Sequence, residues 1–136
     1  MRYPHLHLNF VFLNMKRLIR SFGFAFKGLG YAAKTQPNFR FHLVAGTIAV
    51  ILGLLFQIST AEWLWLMASI AVVLITELLN TSLETLTDLV SPTYNEKAGH
   101  VKDIAAGAVV VAALFALITG IVIFLPKIIL LIRHAA

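Results

Sequence analysis

The chain has 136 residues, enough for one domain and too few for two of ordinary size. Hydrophobic residues make up 60% of it and charged residues only 12%, which excludes an ordinary soluble domain and predicts an integral membrane protein. The net charge is +5, and the absence of cysteine removes disulfides and thiolate metal sites. His5, His7, His42, His100 and His134 are scattered, with no pair at ligand spacing beyond His5-x-His7, so no zinc site is expected.

The opening MRYPHLHLNFVFLNM has only Arg2 as a basic flank and no small-residue cleavage site, so it does not read as a signal peptide. Met15 precedes Lys16 and Arg17 and makes a plausible alternative start. Residues 1–15 are therefore expected to be a dispensable extension, 16–126 the membrane domain and 127–136 a tail. From Lys16 to Arg40 the chain carries Lys16, Arg17, Arg20, Lys27, Lys34 and Arg40, without an acidic residue and interleaved with Phe22, Phe24, Phe26 and Tyr31. Such a segment suits an anionic membrane surface. Glycines 23, 28 and 30 predict a helix broken in its middle, and Pro37 predicts its end.

Three uncharged stretches follow: Leu43 to Ala61, Trp63 to Thr76 with a polar extension, and Ile104 to Pro126. Because a membrane-crossing helix needs about 20 mostly apolar residues, they predict three spans. Lysine and arginine asymmetry puts the amino-terminal segment and the loop from Ser91 to Lys102 in the cytoplasm. Lys127 and Arg133 argue weakly the other way.

Within the second span, ELLNTSLETLTDLV (residues 77 to 90) interrupts an otherwise apolar pattern. At about 100° per residue, Asn80 falls about 60° to one side of Glu77, Thr81 about 40° to the other, and Glu84 and Asp88 within about 20°. The leucines at 78, 79, 83, 86 and 89 take the opposite face. Counting about 1.5 Å per residue from Trp63 puts Glu77 roughly 21 Å along the helix and Glu84 roughly 32 Å. Glu77 is then inside the membrane near the cytoplasmic side, with Glu84 and Asp88 at the boundary. Carboxylates at that depth need a partner helix, water or a cation. Their alignment favours protonation of one of them or a bound divalent ion; pairing with a basic residue of a neighbouring helix is the structural alternative.

The connection SPTYNEKAGHVKD adds Tyr94, Asn95, Glu96, Lys102 and Asp103. Ser91-Pro92 reads as a helix stop and Asp103 as a possible N-cap, while Lys102 supplies a cation beside the acidic stripe. Hard oxygen ligands with a nearby lysine suit a magnesium-bound polyphosphate. GLGYAAKT (residues 28 to 35) imitates a phosphate-binding loop but has Ala33 at the second glycine position, with no preceding strand and Pro37 just after it, so it is rejected.

The run from Glu77 to Asp88 with Lys102-Asp103 beyond it, F-K-G-L at Phe26 to Leu29 and N-F-R at Asn38 to Arg40 closely resemble the prokaryotic diacylglycerol kinase family, which includes the undecaprenol kinases. The family's signature on the second span is E-x-x-N-x-x-x-E-x-x-x-D, and the likeness covers roughly Met15 to Leu125. The resemblance implies an all-α membrane protein of three transmembrane helices preceded by an amphipathic surface helix. It also implies a homotrimer with shared active sites, in the bacterial inner membrane, without a nucleic-acid partner.

The implied activity is magnesium-dependent transfer of the γ-phosphoryl group of ATP to a membrane lipid hydroxyl, of diacylglycerol or undecaprenol. By position, Glu77 is then the general base, Asn80 orients groups around it, and Glu84 binds magnesium and nucleotide. Arg17, Tyr94, Asn95, Lys102 and Asp103 hold ATP, with Asp88 in support. Gln36 stands where the family usually has an acidic second metal ligand, and Phe24 where part of the family has tyrosine. The alternatives are an ion-coupled transport subunit, which would ignore ATP, and a catalytically impaired relative marked by Gln36.

Overall fold

The computed structural model describes the backbone of residues 4–135 and the side chains of residues 15–134. The chain divides between Thr35 and Gln36 into two compact units.

The first unit is a single helix, α1 (Pro4–Thr35). Contrary to the expected break, it runs without interruption through all three glycines. Each glycine costs a helix about 1 kcal/mol relative to alanine, but breaking the helix would also forfeit the cooperative hydrogen bonds on either side and require a new nucleation. The continuous hydrogen-bond ladder wins. Residues 28 to 35 lie in this helix, so the imitation phosphate loop is ordinary helix. Pro37 acts as expected: Gln36 before it is extended, at φ −108 and ψ 107, as the ring of a following proline requires.

The second unit contains α2 (Pro37–Leu55), α3 (Thr60–Val90) and α4 (Glu96–Ala135). All three are long and apolar enough to cross a membrane. α3 is the central element, packed along α4 and over a shorter length against α2. Pro37 enters α2 in the first turn, where its missing N–H costs nothing.

A tight reversal joins α2 to α3. Gln57 takes a left-handed conformation at φ 49, Ile58 N–H donates to Gly53 O at 3.1 Å and Gln57 N–H to Leu54 O at 3.3 Å. This is the Schellman pattern that closes a helix end. A Cβ on Gly53 would lie 2.8 Å from the Trp63 ring, so glycine there permits close approach of the two helices. Ser59 then caps α3, accepting from Glu62 N–H, while the Glu62 carboxylate accepts from Ser59 N–H at 2.7 Å. The loop expected over Ser59 to Glu62 is therefore already α3 at Thr60.

Ile58, Leu66, Ile123 and Phe124 form the buried core beside this reversal, with Ala49, Leu52, Phe56, Trp63 and Ile70 around it. Lys127 reaches back from α4 to Glu62, which accounts for one of the two basic residues that ran against the charge asymmetry. α4 continues through Pro126 to Ala135, beyond the expected end of the third span. At its start, Asn95 Oδ1 accepts from the N–H groups of Lys97 and Ala98. Asn95 is thus the N-cap, and Asp103 lies two turns inside the helix.

Candidate active site

The polar residues of α3 fall into two kinds once their hydrogen bonds are followed. Thr76, Thr81, Ser82, Thr85 and Thr87 each donate to a backbone carbonyl three or four residues earlier in the same helix. Ser69 does the same, to Leu66 O at 2.8 Å. A hydroxyl satisfied in this way sits in an apolar environment at little cost. Glu77, Asn80, Glu84 and Asp88 have no such local solution.

Their burial decreases along the helix toward its carboxyl end. Glu77 is 2% exposed, Asn80 and Glu84 are half-buried, and Asp88 is exposed. Leu79, Leu83, Leu86 and Leu89 occupy the outward face and are exposed, as lipid-facing residues would be.

The nearest basic group to Glu77 comes from α2: His42 Nε2 lies 3.4 Å from Glu77 Oε1. The sequence reading missed this histidine, although N-F-R-F-H ends on it. Its spacing from the other histidines argued against zinc and left the residue without a role. One turn after Glu77, Asn80 Nδ2 donates to Glu84 Oε1 at 3.1 Å. Asn80 Oδ1 is buried and has no hydrogen-bond partner, a cost of about 1–3 kcal/mol for an amide oxygen. This orphaned oxygen beside a carboxylate is a donor set suited to a hard cation. Among the described residues no three acidic, histidine or cysteine side chains converge on a single point, so such an ion would take further oxygens from elsewhere.

Asp88 leaves the stripe and pairs with Lys102 of α4. The structural alternative, pairing with a neighbouring helix, therefore describes Asp88, and in this state Lys102 is engaged by a carboxylate. Asp103 is exposed one residue further on. Tyr94 is 96% exposed and Asn95 is occupied in capping α4. Gln36 stands at the start of α2 without a side-chain cap bond. Arg17 is exposed on α1, in the other unit. The structure thus joins Asn80 to Glu84, Asp88 to Lys102 and His42 to Glu77; none of its described ion pairs or hydrogen bonds joins Gln36 or Arg17 to these groups.

Three helices long and apolar enough to cross a membrane, the central one with a buried carboxylate, define a polytopic membrane protein. Comparison with known proteins narrows the class. The model of the prokaryotic diacylglycerol kinase family matches residues 23–124. The undecaprenol kinase of Bacillus subtilis (strain 168) is 39% identical over 113 residues, covering 83% of this chain and 92% of that one. A diacylglycerol kinase of Synechocystis is 41% identical over 110 residues, 80% of this chain and 63% of that one. The diacylglycerol kinase of Escherichia coli K12 is 32% identical over 103 residues, 76% and 84% of the two chains. The chain belongs to the prokaryotic diacylglycerol kinase family.

Proposed function

We propose that this lipid kinase moves the γ-phosphoryl group of ATP onto the hydroxyl of a membrane lipid, at the inner membrane of a bacterial cell and as a homotrimer with shared active sites. The observation that carries this reading is the pair of unusual groups on α3: a carboxylate, Glu77, sealed within an apolar span, and one turn on an unsatisfied Asn80 oxygen beside Glu84. Neither arrangement favours folding by itself. Both suit chemistry at the boundary between lipid and water.

Glu77 acts as general base. It accepts the proton of the lipid hydroxyl as the new O–P bond forms, and the bond between the γ-phosphorus and its bridging oxygen breaks, leaving ADP. Glu84 and Asn80 would hold magnesium, with Gln36 as a weaker, uncharged donor in the same role. When bound, magnesium neutralises phosphate charge. Lys102, released from Asp88, together with Asp103, Tyr94, Asn95 and Arg17, holds the nucleotide, and Asp88 keeps Lys102 in reach. α1 lies on the membrane surface as an amphipathic helix. Phosphoryl transfer depends chiefly on positioning and charge stabilisation, so a few fixed side chains are sufficient machinery.

The acceptor is undecaprenol or diacylglycerol. N-F-R-F-H at residues 38 to 42 and the near-complete coverage of the Bacillus subtilis undecaprenol kinase favour undecaprenol. The deciding experiment follows labelled phosphate from ATP into lipid with purified protein in mixed micelles, with magnesium, comparing undecaprenol, diacylglycerol and no added lipid. Transfer to one lipid establishes the kinase and selects its acceptor. Absence of transfer to both, by folded protein, overturns the reading.

A further inference from the structure

His42 is the one basic side chain within ion-pair distance of Glu77 among the described residues. The two groups come from different helices and are both withdrawn from solvent, the imidazole side chain 19% exposed and the carboxylate 3%. His42 also lines an apolar groove of about 710 Å³ between α2 and α4, so it stands where that groove meets the buried carboxylate. Ala113, Ala116, Leu117 and Gly120 of α4 line the groove without a titratable group. The other charge acting on Glu77 is Glu84, further along α3. No other described side chain is placed to fix the Glu77 carboxylate from the α2 side.

From this geometry we infer that His42 is a positioning residue for Glu77: its imidazole, with Nε2 3.4 Å from Oε1, confines the carboxylate to one orientation and leaves Oε2 free to receive the acceptor's proton. The inference rests on Glu77 being the base. A carboxylate with free torsions samples many orientations, and only those that point an oxygen at the acceptor hydroxyl are productive. An imidazole is suited to this task within an apolar wall. It supplies a directed N–H donor without requiring a permanent charge. The edge contact of the ring with Phe41, at 5.5 Å between centroids, adds an apolar neighbour beside the imidazole.

The test compares wild type, His42→Ala, His42→Gln, His42→Asn and Glu77→Gln in the labelled-phosphate assay, with kcat and both KM values measured. Glutamine offers an amide N–H at about the reach of imidazole Nε2, and asparagine falls short of it. For His42→Ala the expected result is a kcat lower by about 10- to 100-fold, the scale of a hydrogen bond to a charged group, with both KM values changed by less than about threefold. His42→Gln should recover most of the lost rate and His42→Asn should not. If alanine prevents folding, the glutamine and asparagine pair decides alone. Equal rates for glutamine and asparagine, or a loss carried by KM, would overturn the positioning role while leaving the kinase intact. Near-normal turnover by Glu77→Gln would instead remove the base itself, a separate outcome.

Discussion

Glu62 and Glu84 stand toward opposite ends of α3, and the fold completes one and not the other. Glu62 accepts from the Ser59 backbone at 2.7 Å and from Lys127 across the helix interface. Both of its oxygens are used, and beside it lies the buried core of Ile58, Leu66, Ile123 and Phe124. Glu84 accepts from Asn80 at 3.1 Å, and the other end of that amide is left without a partner. The same side-chain chemistry is structural where its hydrogen bonds close; where they do not, as at Glu84, it has the open valence that the proposed metal role would use. A second ion pair, Asp88 with Lys102, falls about 39 Å along α3 from Glu62 at about 1.5 Å per residue. The two pairs lie toward opposite ends of the contact between α3 and α4.

Mutations at the two ends should separate by what they damage. The largest effect is expected for Glu77→Gln, which should lower turnover by about 100-fold or more, the usual worth of a general base, while helix content and resistance to heating are retained. Asn80→Ala should come next, with kcat down by roughly 100-fold through loss of oriented charge stabilisation and a raised magnesium requirement. A normal magnesium titration in that variant would place the cation away from Asn80. Gln36→Glu should lower the magnesium concentration for half-maximal activity by about threefold, because a carboxylate replaces a neutral donor. An unchanged titration would remove Gln36 from the metal site.

At the closed end the readout should move from rate to stability. Ser59→Ala deletes one half of the capping box and should destabilise the protein by about 1 kcal/mol, measured as loss of helix signal on denaturation, with kcat unchanged. Gln57→Gly should give the smallest effect, a gain of about 0.5 kcal/mol from relieving the left-handed conformation at the end of α2. A loss of kcat in either variant would break the division between a structural end and a working end.

Much of this was legible in the residues because it is local. The spacing of Glu77, Asn80, Glu84 and Asp88 fixes their shared side of a helix before any tertiary contact exists, and the apolar lengths fix three spans. Ser59-Thr-Ala-Glu62 also carries a capping-box signature, although the expected loop over those residues passed it by. The break expected in α1 does not occur because glycine's propensity is a weak local preference that the cooperativity of a long helix outweighs. Of the two readings the residues allow for Asp103, the N-cap is taken instead by Asn95, eight residues earlier, whose Oδ1 accepts from the N–H groups of Lys97 and Ala98.

The sequence by itself determined the membrane class, the number of spans and the angular order of the polar stripe, because the turn and rise of an α-helix are set by backbone geometry that every residue shares. Only the tertiary structure decided that His42 faces Glu77, that Lys102 answers Asp88 and that Lys127 answers Glu62. Those pairings depend on how three helices slide and rotate against one another. That register is set by side-chain fit summed along whole interfaces, such as Gly53 under Trp63, and no short stretch of sequence carries it.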